Sequence, residues 1–115
     1  MTVDRTAERI ARNEAIFRDA NDDIRRRAAA AEMERVPFIC ECADERCMTL
    51  VRLTPAEYER VRAGARWFVN AAGHEESEAD HGHVVWAGDG YVVIEKTGEA
   101  GRIVASLDPR SEEGE

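Results

Sequence analysis

The segment FICECADERCMTL, residues 38–50, holds every cysteine of the chain: Cys40, Cys42 and Cys47 fall within eight positions. Three thiols spaced Cys-x-Cys-x4-Cys suit a metal site, a redox pair or an iron–sulfur cluster. Residues two apart in an extended strand point the same way, so Cys40 and Cys42 share a face. The intervening CADERC stretch has no large apolar residue and is free to turn, returning Cys47 to the other two. Zinc matches this donor set, because it favours tetrahedral thiolate and imidazole ligands, with sulfur at about 2.3 Å and nitrogen at about 2.0 Å.

No fourth cysteine exists, so the fourth donor must come from elsewhere. His74, His81, His83, a carboxylate and a water are all open to the role. His74 follows Gly73 at the end of an expected strand, where a sheet neighbour can deliver it to the thiols. His81 and His83 straddle Gly82 beside the acidic stretch EESEAD. A redox pair needs an electropositive setting that lowers the thiol pKa, and Glu41, Asp44 and Glu45 supply the opposite. For an iron–sulfur cluster with three Cys and one His, the familiar pattern puts the His only a few residues past the third Cys. Here 26 residues separate Cys47 from His74. Zn2+ is the expected ion, ahead of an iron–sulfur cluster.

The elements that must position these residues read as an α+β fold. A long helix is expected from Thr6 to Met33, a stretch without Gly or Pro and rich in Ala, Arg and Glu. Ile10, Phe17, Ile24 and Ala31 recur every seventh residue as a thin apolar edge, with Ala20 and Ala28 beside it. Asn13 and Arg27 interrupt the second coiled-coil row, leaving a half-made heptad. Pro37 closes the segment. Strands are expected at 38–40 and 48–53, followed by a helix whose start is explicit. Thr54 is its N-cap, Pro55 its first residue, and Glu57 completes a Thr-x-x-Glu capping box. Tyr58, Val61 and Arg62 set its inner face, and Gly64 ends it. Trp67–Val69 reads as a third strand, and HVVW and YVVIE flank Ala-Gly-Asp-Gly as a hairpin. A short helix is expected over 98–106. The organisation is therefore a helix at 1–36, a zinc-stabilised domain at 37–106 with a small, mainly antiparallel sheet, a metal knuckle and one or two short helices, and a disordered acidic tail at 107–115.

At 115 residues the chain has room for one domain, small enough that a metal is a useful staple. The net charge of −8 lies entirely in residues 38–115, which carry eight basic residues against sixteen acidic ones. Nucleic-acid affinity needs Lys and Arg to neutralise phosphates, so direct nucleic-acid binding is not expected. No apolar run approaches a membrane span and no signal-peptide core is seen, so no membrane partner is expected and the cytoplasm is the expected compartment. There, clustered cysteines are more often ligands than disulfides.

The run FICECADERCMTLVRLTPAEYERVRAGARWFVNAAGHE resembles a family of small actinobacterial proteins of unknown function. Their pattern is an aromatic residue, Cys-Glu-Cys, four residues, Cys, then Leu-Thr-x-x-Glu-Tyr-x-x-Val-Arg, an aromatic-rich strand and Gly-His-Glu. Upstream, RNEAIFRDANDDI is similar to the family's Arg-Asn-Glu-x-x-Phe-Arg-x-x-Asn-x-x-Ile helix. Downstream, GYVVIEKTGEA also matches, so the likeness spans about residues 10–110. The resemblance places Cys40, Cys42, Cys47 and His74 on the family's metal-ligand positions. The chain departs from the pattern at Ala72, where relatives carry Pro, and in the inserted SEADHGH. The family carries no established activity, so the resemblance implies fold and metal alone.

A catalytic zinc keeps an open position for water; were His74 not a ligand, Glu75 or Glu76 would be the base of a hydrolytic site. The deaminase pairing of His-x-Glu with Pro-Cys-x-x-Cys is missing, as are His-Glu-x-x-His, a phosphate loop and a nucleophile elbow. The leading expectation is a zinc-stabilised binding or regulatory module without catalytic residues. Its expected partner is a protein, with a homodimer through the N-terminal helix as one form. Arg12, Asn13, Phe17, Arg18 and Asn21 offer one surface, and the acidic residues 75–80 another. A zinc–thiol redox sensor is the alternative.

Overall fold

The computed structural model describes residues 5–44, 46–78 and 81–110. The elements in chain order are α1 (Arg5–Ala30), β1 (Val36–Ile39), β2 (Leu50–Leu53), α2 (Pro55–Val61), β3 (Trp67–Ala71), a 3-10 helix (His74–Glu78), β4 (Gly82–Gly88), β5 (Tyr91–Lys96) and α3 (Gly98–Ser106). The fold is α+β, as expected. Its strands divide into two antiparallel sheets, the hairpin β1–β2 and a three-stranded sheet in the order β3-β5-β4.

Helix α1 stops before Pro37 because its end is built locally. Met33 N–H donates to Ala28 O at 3.0 Å and Glu32 N–H to Ala29 O at 3.1 Å, the two bonds of a Schellman turn. Glu32 occupies the left-handed position with φ of 56°, where glycine is the usual residue.

The buried face of α1 departs from the apolar edge read in the sequence. Ile10, Phe17 and Ile24 are only partly buried and Ala31 is exposed. The buried stripe is Ala7, Ala11, Glu14, Ala15, Arg18, Asn21, Asp22 and Ala28. Its polar members are paired across the interface. Glu14 Oε1 lies 2.7 Å from Lys96 Nζ, with both side chains fully buried. Arg18 donates to Ala65 O and Val104 O, each at 3.0 Å, and lies over the Phe68 ring at 5.1 Å. The expected surface of Arg12, Asn13, Phe17, Arg18 and Asn21 therefore does not form, because Arg18 and Asn21 have no exposed area.

Asp22, Arg62 and Asp108 join α1, α2 and the C-terminal segment. Arg62 Nε donates to Asp22 Oδ1 at 2.9 Å, and its Nη1 and Nη2 grip Asp108 at 3.1 and 2.6 Å. Arg110 adds bonds to Asp22 at 3.0 Å and to Glu59 at 2.9 and 3.0 Å. The expected disorder from residue 107 onward thus fails for 107–110, which ion pairs hold in place; residues 111–115 lie outside the described residues.

The main core joins the hairpin to the second sheet. Val36, Phe38, Val51, Leu53, Tyr58, Val61, Val69 and Val93 pack together, with Phe38 stacked on Tyr58 at 4.6 Å between ring centroids. The capping box that starts α2 is present in full: Glu57 N–H donates to Thr54 Oγ1 at 3.0 Å and Thr54 N–H to Glu57 Oε1 at 2.9 Å. Among the described residues, no helix is long and apolar enough to cross a membrane.

Candidate metal centre

The centre forms where the end of β1 meets the end of β3. Alternation along the extended chain sends Cys40 and Cys42 to one side and Glu41 to the other. Asp44 builds the turn that returns Cys47: its side-chain Oδ1 accepts Arg46 N–H at 2.9 Å, and its carbonyl accepts Cys47 N–H at 3.0 Å. Aspartate bonded to the backbone two residues on is a local turn device. Across the gap, β3 ends at Ala71 and the chain turns at Gly73, whose φ of 95° suits glycine and leads into the 3-10 helix. Gly73 N–H donates to Glu75 Oε1 at 2.6 Å, and His74 is delivered at the first position of that helix.

The result is a compact donor set. The Sγ atoms of Cys40, Cys42 and Cys47 and a ring nitrogen of His74 all lie within 4.8 Å of one another. His74 Nδ1 is 3.5 Å from Cys40 Sγ and 3.4 Å from Cys47 Sγ. A tetrahedral ion with the bond lengths given above separates its sulfur and nitrogen donors by about 3.5 Å. Nδ1 is thus the imidazole atom placed for ligation. The cysteines are free thiols, with Cys40 and Cys42 buried and Cys47 partly exposed. A Cys3His group in this arrangement can hold a metal ion.

Electrostatics favour a cation here. Hydrogen bonding from Cys40, with help from His74, pulls the Cys42 thiol down to about 5 despite its burial. Cys40 is pushed well up, first by its bond to Cys42, then by burial and the other two sulfurs. One sulfur ionises readily and the next resists, because adjacent thiolates repel in a desolvated site. A bound cation removes that repulsion and lets all three ionise. Cys40 Sγ also accepts Ala71 N–H at 3.2 Å, a backbone bond that steadies that sulfur from behind.

Glu41 does not face the thiols, contrary to the sequence reading. It is fully buried on the opposite side, where its carboxylate accepts Tyr58 O–H at 2.6 Å, Asn21 Nδ2–H at 2.9 Å and Val69 N–H at 2.9 Å. Asn21 in turn brackets the backbone of Ile39, donating to its carbonyl and accepting from its N–H, each at 2.8 Å. Burial raises the Glu41 carboxyl, and the three donors oppose that rise. Glu41 and Asn21 therefore fix the strand that carries Cys40 and Cys42 to α1, α2 and β3. Sequence reasoning missed both, although their place in the block Cys-Glu-Cys and in the Asn-x-x-Ile helix marked them.

The other two histidines stand apart from the group. His83 Nε2 is 3.5 Å from Glu95 Oε1 across the β4–β5 ladder. His81 offers its carbonyl to Thr97 N–H at 2.8 Å. A cleft of about 280 Å³ opens beside the centre, lined by Cys42, Asp44, Gly73, His74 and Glu76.

The chain was compared with known proteins in three ways: no family model matches it, no curated protein matches it, and no solved structure matches it.

Proposed function

We propose that the chain is a zinc-stabilised binding or regulatory module acting on a protein partner in the cytoplasm. Cys40, Cys42, Cys47 and His74 would saturate one Zn2+. The observation that carries this reading is the close approach of four donors from two separate stretches of chain, with His74 Nδ1 at 3.5 and 3.4 Å from the Cys40 and Cys47 sulfurs. Four protein donors leave no position for an exchangeable water, as in structural rather than catalytic sites. Donors this close suit one ion better than a cluster, whose several irons spread their ligands farther apart. Glu75, the first residue suited to act as a base, is engaged with Gly73 N–H in its own turn. The same residues support membership of the small actinobacterial family that the sequence resembles.

The test is metal content and thermal stability of the protein and of Cys42→Ser. Binding free energy in a small site of this kind is largely folding free energy. The reading expects one zinc per chain, lost in the variant together with a clear fall in Tm. An unchanged Tm, or iron with a visible charge-transfer spectrum, would overturn it. The partial exposure of Cys47 favours one second reading, a zinc–thiol redox switch. Peroxide titration with a zinc-sensitive dye decides it: release at low oxidant supports the switch, and retention until general damage removes it.

A further inference from the structure

A binding module needs a docking surface, and the two edges of the β1–β2 hairpin differ in a way that locates one. The β1 edge is closed. Pro37 has no N–H to offer, and Asn21 occupies both the N–H and the carbonyl of Ile39. Those bonds also fix the ladder. Ile39 turns its backbone groups away from its cross-strand neighbour Leu50, so this is a non-hydrogen-bonded pair. Alternation makes Pro37–Arg52 another. The N–H and carbonyl groups of Leu50 and Arg52 therefore face the far edge of β2. No strand pairs with that edge among the described residues.

The side chains beside this edge are unusual for a solvated strand. Met48 is 90% exposed and Leu50 58% exposed. Natural edge strands are commonly blunted by charge, proline or a covering loop; here Arg52 alone does so. The metal knuckle bears directly on this ribbon. Cys40 follows Ile39, Cys47 precedes Met48, and Cys40 N–H donates to Thr49 O at 3.1 Å, so the thiols sit at the connecting end of the hairpin.

Charge indicates the occupant. The chain has a net charge of −8, and acids accompany Arg35 and Arg46 beside this ribbon, yet the strands themselves, VPFI and LVRL, carry one charged side chain, the cation Arg52. Glu57 lies 3.8 Å from Arg35, and Asp44 binds the Arg46 backbone. Exposed Arg52 has no carboxylate partner among the described residues. A second copy would bring two such basic edges together, which like charges disfavour.

We propose that the outer edge of β2 is a strand-addition site for an extended acidic segment of a partner protein, with its backbone on Leu50 and Arg52, an acidic side chain on Arg52 and an apolar one over Met48 and Leu50. Main-chain bonds supply affinity in this mode and alternate side chains supply specificity. The site rests on the zinc-module reading, since the knuckle sets the register of the edge.

The test is selection of random dodecapeptides displayed against the full-length, zinc-loaded protein, with synthetic winners followed by NMR. Winners should alternate acidic with β-branched residues, shift the amide resonances of 48–52, and slow hydrogen exchange at Leu50 and Arg52. Arg52→Glu should weaken them by about tenfold or more, while zinc content and Tm stay at the parent values. Winners that are neutral or basic, that map elsewhere, or that leave those amides unprotected overturn the site, as does loss of zinc in Arg52→Glu. A dimer in sedimentation that Leu50→Lys abolishes would instead make a second copy the occupant. Zinc-loaded, folded protein that selects no peptide overturns this site alone; protein without zinc overturns the module reading first.

Discussion

Replacing Arg62 by Met removes the fully buried cation through which α2 grips both α1 and the C-terminal segment. The side chain is fully buried, with three hydrogen bonds to two carboxylates at 2.6 to 3.1 Å. Breaking a buried ion pair from one side costs about 3–5 kcal/mol, because the stranded charge stays desolvated. Two features place this case near the lower end. Asp108 keeps Arg18 at 4.0 Å, and Asp22 keeps Arg110 at 3.0 Å. The expected loss is about 3 kcal/mol in urea unfolding of zinc-saturated protein, or roughly 10 °C in Tm for a chain of this size. The double variant Arg62→Met/Asp108→Asn removes a stranded charge along with its partner and should unfold at a higher urea midpoint than the single variant. Zinc content should not change in either. A single-variant loss below about 1 kcal/mol, or a double variant no better than the single, would refute the view that these buried charges depend on one another.

Three further expectations come from other parts of the fold. Asn21→Ala strips partners from both backbone groups of Ile39 and from Glu41, and should cost about 2–4 kcal/mol by urea unfolding. Glu32→Gly should raise stability by up to about 1 kcal/mol, since the residue already sits at a left-handed φ of 56° that glycine adopts without strain; a lower melting temperature would count against that assignment. Acid should act through Asp108, whose burial alone would raise its carboxyl but whose bonds to Arg62 and to the Arg110 amide hold it below the ordinary value. A depressed carboxyl contributes stability in full above its unfolded pKa, near 4, and loses it as pH falls through the lower folded value. Asp108→Asn should therefore flatten the decline of stability below about pH 4; an unchanged slope would remove Asp108 as its source.

The Cys3His group was legible because its residues are chemically rare and three of the four are local in sequence. Cys40, Cys42 and Cys47 declare themselves by spacing, and His74 by its place after Gly73. The capping box at Thr54 and Glu57 was legible for the same reason: both halves lie within one turn. The face of α1 was not. Hydropathy picks out Ile10, Phe17 and Ile24, whereas the helix buries Glu14, Arg18, Asn21 and Asp22. Those polar groups can be buried only because Lys96, Asp108, Glu41 and Arg62 meet them, and these lie well along the chain. Periodicity sees no charge complement at that distance. The C-terminal segment misled in the same way. Its acidic composition suggests disorder, but Asp108 and Arg110 find their partners on α1 and α2. Glu41 was read as part of the thiols' electrostatic setting, when the alternation that aligns Cys40 with Cys42 turns it into the core.

Zinc-edge X-ray absorption on protein expressed with ample zinc tests the central claim most directly. The account predicts one ion per chain with three sulfur neighbours at about 2.3 Å and one nitrogen at about 2.0 Å, and with no oxygen shell. Uncoordinated thiols under those conditions, or a shell containing water oxygen in place of the His74 nitrogen, would contradict it.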